Sequence, residues 1–497
     1  MAGGVAAKIG DNRWVERAAA LARSRWLWIG ILVLGLAARS HQYFANPSYW
    51  YDEAFLARSI YELSFTDLIG PLPSRTITPP FFLWLLRSCY DLLGPQEWSL
   101  RLPAYAAGIA ALGLMVPLAR RWLGSPGWMW AVGFCALSTH GVNHSFEVRP
   151  YATDFLLTVA ILLTAKIYLD VGESRRRLAI AIGLLVAAAL APWLSFASAF
   201  VLAAVSGALF VDYLHTRSRG RLAYWVGFNG LLLSTSFLVW FVQARHMYYP
   251  GLKDEWTNVW GGFPSDYSPR TLFVWTLLAP ERVTHYATTG LGVPLLLLGS
   301  AGLVRAWQRS KEDFVLLIGP MILALVAALL GKYPFADRTL FFLAPCVWLA
   351  TVEGLQYIAE RWPAARVVVP VLALGLMAPG VAAAVRFCVQ VRPRMEYREA
   401  LAYVHEHQDG ADAVWNWCAD LNAVYAEHIY PSWDRADAND PTDSAGAVRA
   451  ATSRPIWVIA PDNRVGEMTD PLRSLPLRQT LSRQFLGVQV VRFDPHR

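Results

Sequence analysis

Long apolar runs recur along the chain, each closed by a short polar or basic connection. They fall at about 26–42, 99–119, 126–142, 152–170, 178–192, 194–212, 223–243, 291–304, 314–331, 339–358 and 367–387. About 18 apolar residues suffice to cross a bilayer as a helix, and a helix satisfies its own backbone hydrogen bonds in lipid. The pattern predicts an all-α polytopic membrane protein of about eleven transmembrane helices, with one break at Pro192-Trp193 between two adjoining spans. Residues 271–290 read as a short apolar helix and loop outside the membrane.

Two regions depart from this rhythm. The first outer loop, about 43–98, is rich in aromatics and prolines. Its Glu53 to Ile69 stretch predicts an amphipathic helix on the membrane surface, ended by Gly70-Pro71. Phe81 to Leu93 predicts a second juxtamembrane helix, too short to span. Beyond the last span, 390–497 loses the long apolar runs and gains charge. Glu396 to His407 reads as a helix, and Ala413-Val414-Trp415 and Ile456 to Ala460 read as short buried strands. The predicted division is a transmembrane domain over 1–389 and a small α/β domain over 390–497.

Composition agrees. The chain of 497 residues is 55% hydrophobic and 16% charged, below the roughly 25% charged of soluble domains. Its net charge of +7 does not indicate nucleic acid, because the basic residues collect in short connections, as the positive-inside rule expects. Connections 120–125, 172–178, 213–222, 305–313 and 359–366 each carry two or more Lys or Arg. This places the N-terminus in the cytoplasm and 390–497 outside, in a multi-pass protein of the cell membrane. The 22 Trp and 20 Tyr suit interfacial belts. The five cysteines have no metal-ligand spacing and read as small buried hydrophobes. The first apolar run lacks a small-residue cleavage site and reads as a retained helix.

The outward connections hold the chemistry. Tyr51-Asp52-Glu53, Arg75 to Pro80, His144 to Tyr151 and Lys332 to Arg338 all fall on one side. Carboxylates and guanidinia at span ends point to a cavity or to ion pairs between helices. A carboxylate can take a proton from an attacking hydroxyl, and Arg suits a departing phosphate. No GxGxxG or Walker pattern opens a helix, so a nucleotide-sugar loop is not indicated.

The order of these pieces is specific. An acidic pair follows span one; then come Thr78-Pro79-Pro80-Phe81-Phe82, Leu100-Arg101-Leu102-Pro103, Glu147-Val148-Arg149-Pro150-Tyr151, and Tyr333-Pro334-Phe335 with Arg338. Over roughly 1–390 the set resembles the GT-C glycosyltransferases, in the branch of the protein O-mannosyltransferases and the aminoarabinose lipid A transferases. The resemblance implies a GT-C fold and inverting transfer of a sugar from a polyprenyl-phosphate donor to a glycan, lipid or protein acceptor on the extracytoplasmic face. It implies Asp52 as base, with Glu53 and Glu147 as further catalytic acids. Arg338 ranks first for the donor phosphate, ahead of Arg75, Arg149, Lys332 and Arg58, and Tyr51, His144, Tyr151 and Tyr333 are expected against substrate. Arg58 is also read as a simple ion-pair partner. Asp52, Glu53, Glu147 and His144 would suffice to hold magnesium or manganese, but the two branches work without a metal, so none is expected to be obligatory. The first loop lacks the lysine of the aminoarabinose branch, and the large soluble domain of eukaryotic mannosyltransferases is missing. Both departures leave sugar and acceptor open.

Two other readings compete. A surface polysaccharide polymerase or ligase carries its large outer loop late in the chain, whereas the acidic loop here comes first. A lipid-linked-sugar flippase or transporter predicts internal repeats and mid-span charges, whereas the charges here cluster at span ends.

Overall fold

The structure is a computed structural model, and it describes residues 17, 20–21, 24–73, 76–246, 251–288, 290–392, 394–410, 412–433 and 443–495. Helix α1 is Arg25–Ala45, and the first loop contributes α2, Tyr51–Glu62, and α3, Pro80–Leu93. The bundle continues with α4 (Glu97–Trp122), α5 (Gly127–Leu137), the short α6 (Thr139–Asn143), α7 (Tyr151–Asp170), α8 (Arg175–Leu194), α9 (Ser198–Thr216) and α10 (Arg219–Val242). A loop with α11 (Leu252–Asn258) precedes α12 (Pro269–Thr288), α13 (Gly292–Arg309), α14 (Lys311–Leu329), α15 (Ala344–Arg361) and α16 (Ala365–Val389).

Among the described residues, eight helices are long and apolar enough to cross a membrane, or nine if α12 and α13, bent by 106°, form one broken span. This is fewer than the eleven expected. The 126–142 run is not one helix: it breaks at Ser138, whose side chain caps α6 by accepting from the Gly141 N–H. That leaves α5 with 11 residues, about 16 Å of helix against a hydrocarbon core of about 30 Å. The Glu53–Ile69 helix also ends early. Helix α2 stops at Glu62, and only a 3-10 turn, Asp67–Ile69, precedes Gly70.

Close packing holds the bundle together. A Cβ on Gly302 would collide with the Ala350 carbonyl, and one on Gly354 with the Leu298 carbonyl, so α13 and α15 meet through backbone, as small residues permit. The basic connections gather at one end of the bundle. There Asp313 pairs with Lys166 and Arg309, each at 2.9 Å, and Arg309 reaches buried Glu353 at 2.7 Å.

After the last span, α17 (Tyr397–His407) leads into β1 (Ala413–Asn416), α18 (Ala419–Asn422) with a π turn at Ala423–Ile429, α19 (Ser444–Ala451), β2 (Ile456–Pro461), α20 (Val465–Arg473), β3 (Leu477–Phe485) and β4 (Val488–Pro495). The sheet order is β1-β2-β4-β3, parallel between β1 and β2 and antiparallel elsewhere. Strand β2 is buried along its whole length. Trp457 and Ile459 pack in a core shared with Leu56, Ile60 and Tyr61 of α2 and Phe82 of α3. Polar contacts reinforce this seat: Arg398 pairs with buried Glu97 at 2.7 Å, and the Tyr49 N–H donates to the Tyr425 hydroxyl at 2.6 Å. The C-terminal unit therefore rests directly on the loop that carries Asp52 and Glu53.

Candidate active site

The α2 N-terminus positions the acidic pair. Glu53 turns inward and is 2% exposed. Its carboxylate accepts two hydrogen bonds from Arg101, at 3.1 and 2.8 Å, and one from the Val148 N–H at 2.8 Å. The Trp50 N–H is a weaker donor at 3.4 Å. Arg101, 1% exposed, also donates to the Pro47 and Ser48 carbonyls. A fork-to-fork pair this deeply buried joins α4, α2 and the 144–150 connection, and it leaves Glu53 no free oxygen. The expected catalytic role of Glu53 thus meets a carboxylate that is already saturated.

Asp52, one residue earlier, faces a different environment. Its Oδ2 lies 2.5 Å from Arg338 Nη1 and 3.6 Å from Arg149 Nη2, and its side chain remains 15% exposed. Arg149 also donates to the Asp52 carbonyl at 2.5 Å. Among the described residues, no hydrogen bond engages Asp52 Oδ1.

Local backbone delivers Arg338. Ala336 is extended, and Asp337 then takes the left-handed conformation at φ +45°, opening the 3-10 turn Asp337–Leu343. A non-glycine residue there carries strain. The loop is pinned around it: the Tyr333 hydroxyl donates to Thr339 O at 2.9 Å, Thr339 Oγ1 donates to Pro334 O at 2.7 Å, and the Phe335 N–H donates to Gly262 O at 2.7 Å. Tyr333, expected against substrate, uses its hydroxyl to brace this loop. The Arg338 guanidinium lies 5.6, 5.9 and 5.8 Å from the rings of Trp50, Trp256 and Trp260, within cation–π range.

Glu147 is clamped. His144 Nδ1 lies 2.9 Å from its Oε2, and Arg394 Nη2 pairs with its Oε1. His144 Nε2 in turn contacts the Tyr286 hydroxyl at 2.9 Å. Burial by itself would raise the Glu147 carboxyl, but the charges of His144 and Arg394 overcome it and hold the group down at about 2. Glu147 is thus an ionised link between the bundle and the start of the C-terminal unit. Arg394 also lies 4.2 Å from the Trp50 ring, so Trp50 sits against two guanidinia. Pro47, Ser48, Trp50, Glu53, Arg101, Phe146, Glu147, Arg392 and Arg394 line a cavity of ≈ 10 Å³, about the room of one water.

The other expected residues divide. Tyr51 is half-buried at the mouth, its ring 4.9 Å from that of Trp50, and Tyr151 packs 4.9 Å from the His144 ring. Arg58 belongs elsewhere: it pairs with Glu62 at 2.7 Å, one turn along α2, and with Asp420 at 3.0 Å. Lys332 is exposed, and among the described residues its side chain makes no ion pair. Arg75 lies outside the described residues. Asp52, Glu53, Glu147 and His144 do not converge as metal ligands; among the described residues, the group of three that does is Glu62, Glu427 and His428. Arg394, Trp256 and Trp260 were not expected. The Arg392-Pro393-Arg394 run just after the last span was the available signal.

Residues 78–240 match the family model described as dolichyl-phosphate-mannose-protein mannosyltransferase. Comparison with curated proteins gives no match. Among solved structures, ArnT from Cupriavidus metallidurans bound to undecaprenyl phosphate superposes with a TM-score of 0.55 at 14% identity, over 94% of this chain and 97% of that one. The fold is that of the GT-C glycosyltransferases. The Archaeoglobus fulgidus oligosaccharyltransferase, in a complex with Zn and sulfate, superposes with a TM-score of 0.51 at 14% identity, over 86% of this chain and 67% of that one. The archaeal oligosaccharyltransferase AglB with an inhibitory peptide and a dolichol-phosphate gives 0.50 at 13% identity, over 87% and 69%. The family match runs from α3 into α10, and the fold of the whole chain is the one it shares with these solved structures.

Proposed function

We propose that this protein is a glycosyltransferase that moves one sugar from a polyprenyl-phosphate donor to an acceptor hydroxyl on the extracytoplasmic side, with inversion at the anomeric carbon and Asp52 as base. One observation carries the reading: of the three carboxylates gathered here, Glu53 and Glu147 are buried and fully engaged, while Asp52 keeps a free oxygen and a partly exposed face. The ArnT and AglB structures, which hold undecaprenyl phosphate and dolichol-phosphate, support the donor class.

The charge balance favours an anionic donor. Asp52 and Glu147 are met by three guanidinia, those of Arg338, Arg149 and Arg394, while Glu53 and Arg101 neutralise each other. A phosphate would draw Arg338 and Arg149 to itself, Arg offering paired donors. That exchange also serves the base. Handing both arginines to the phosphate would free the Asp52 carboxylate from its ion pairs once the donor is in place. The acceptor O–H proton then passes to Asp52 Oδ1 while the acceptor oxygen bonds to the anomeric carbon. The bond from that carbon to the phosphate oxygen breaks, its electron pair leaving on the lipid phosphate. Glu53 and Glu147 act as positioning residues.

The orientation follows from charge. The Asp52 cluster lies at the opposite ends of the helices from the basic connections, which belong in the cytoplasm, so the cluster and 390–497 face outward. Purified protein incubated with radiolabelled polyprenyl-phosphate sugars and extracted envelope glycans tests the reading. Label should move to an acceptor with wild type and not with Asp52→Asn. Lipid-linked sugar moved across vesicles without covalent transfer would defeat it.

A further inference from the structure

At the far end of α2 from Asp52 lies a second group of chemistry-bearing side chains. Glu62, the last residue of α2, faces Glu427 and His428 of the C-terminal unit, and one ligand atom from each lies within 4.8 Å of the others. Glu427 and His428 sit on the π turn Ala423–Ile429. Such turns are rare and favour functional sites; successive side chains diverge less there than on an α-helix, so both can address one point.

The second observation is the histidine. His428 Nε2 is buried and has no hydrogen-bond partner among the described residues. Its ring packs against Tyr61, with centroids 5.1 Å apart. A buried polar nitrogen without a partner is costly and asks for a reason. A histidine grouped with two carboxylates has a straightforward one.

We propose that Glu62, Glu427 and His428 form a divalent-cation site that clips the C-terminal unit onto the helix carrying Asp52. Imidazole with carboxylates suits zinc or a neighbouring first-row ion, whereas magnesium prefers oxygen alone. Three protein ligands at a partly exposed rim leave room for water to complete the shell. Arg58, 2.7 Å from Glu62 and 3.0 Å from Asp420, joins the same two bodies beside it. The cation would therefore strengthen a seam that already has an ion pair and an apolar core. Its place on α2 lets it stiffen the catalytic helix from the opposite end, with no part in sugar transfer.

Full-length protein, freed of any affinity tag and stripped with EDTA, is titrated with zinc chloride and followed by thermal unfolding and by metal content after gel filtration. Wild type should retain zinc in equal molar amount and show a saturable rise in Tm. Glu427→Gln and His428→Asn should each lose both. Glu427 is exposed, so its substitution separates loss of the site from loss of the fold. Wild type that retains no zinc, or a Tm rise that persists in both variants, would overturn the site. Either result leaves the transferase reading untouched, because the readout is binding and not turnover.

Discussion

Arg338 Nη1 meets Asp52 Oδ2 at 2.5 Å, joining residues 286 positions apart in the chain. The contact ties the loop before α15 to the first turn of α2, and in the proposed reaction Arg338 would pass from this carboxylate to the donor phosphate. Arg338→Ala should weaken binding of a polyprenyl-phosphate sugar about 10- to 100-fold, the worth of a hydrogen bond between charged groups. Arg338→Lys should recover part of this, because an ammonium supplies charge without the guanidinium fork. Fluorescence or filter binding of the labelled donor measures it; unchanged affinity in the alanine variant would remove Arg338 from the phosphate site.

Asp52→Asn separates binding from chemistry. It keeps the shape of the side chain and removes the proton acceptor, so turnover should fall by about 10²- to 10⁴-fold, the usual worth of a positioned base. Donor affinity should hold or rise, since the amide no longer competes with phosphate for Arg338 and Arg149. Radiolabel transfer and donor binding on the same preparation give both numbers. A variant with near-wild-type kcat would end the assignment.

Glu53 and Arg101 make a stability prediction. Each is at most 2% exposed, and removing one partner strands the other charge in a buried site. Glu53→Gln and Arg101→Leu should each destabilise by about 3–5 kcal/mol. The double variant should lose less than the sum, because neither stranded charge is then present. Thermal unfolding in detergent, run as a double-mutant cycle, reads the coupling. Additive losses would show that the two groups act separately.

Much of this was legible in the sequence because membrane insertion constrains it. Apolar runs, basic connections and acids confined to span ends mark the bundle, and α17, β1 and β2 appear as periodic apolar segments. What stayed hidden depends on distant partners. Asp52 and Glu53 look alike as neighbours, yet α2 rotates one toward Arg338 and the other into Arg101. Arg58 resembles a phosphate ligand until Glu62 and Asp420 are seen beside it. The β3–β4 hairpin escaped because β3 is a mostly exposed edge, Leu477-Arg478-Gln479-Thr480-Leu481, with little apolar alternation. The break at Ser138 has no proline or glycine to announce it.

Glu147 makes a pH prediction whose sign follows from its environment. Its carboxyl sits at about 2 in the folded protein against an ordinary 4.5, burial pushing it up and His144 and Arg394 pulling it down further. Between those values the unfolded chain binds a proton that the folded chain does not. The resulting stabilisation is therefore complete above pH of about 4.5 and disappears as pH falls toward about 2, on the order of 3 kcal/mol in all. Glu147→Gln removes that dependence but leaves Arg394 without its partner. The variant should unfold more easily than wild type at neutral pH, and the gap should close on acidification. Thermal unfolding of both proteins from pH 7 to pH 3 tests this; a gap that stays constant would show that the His144–Glu147–Arg394 link adds nothing to stability.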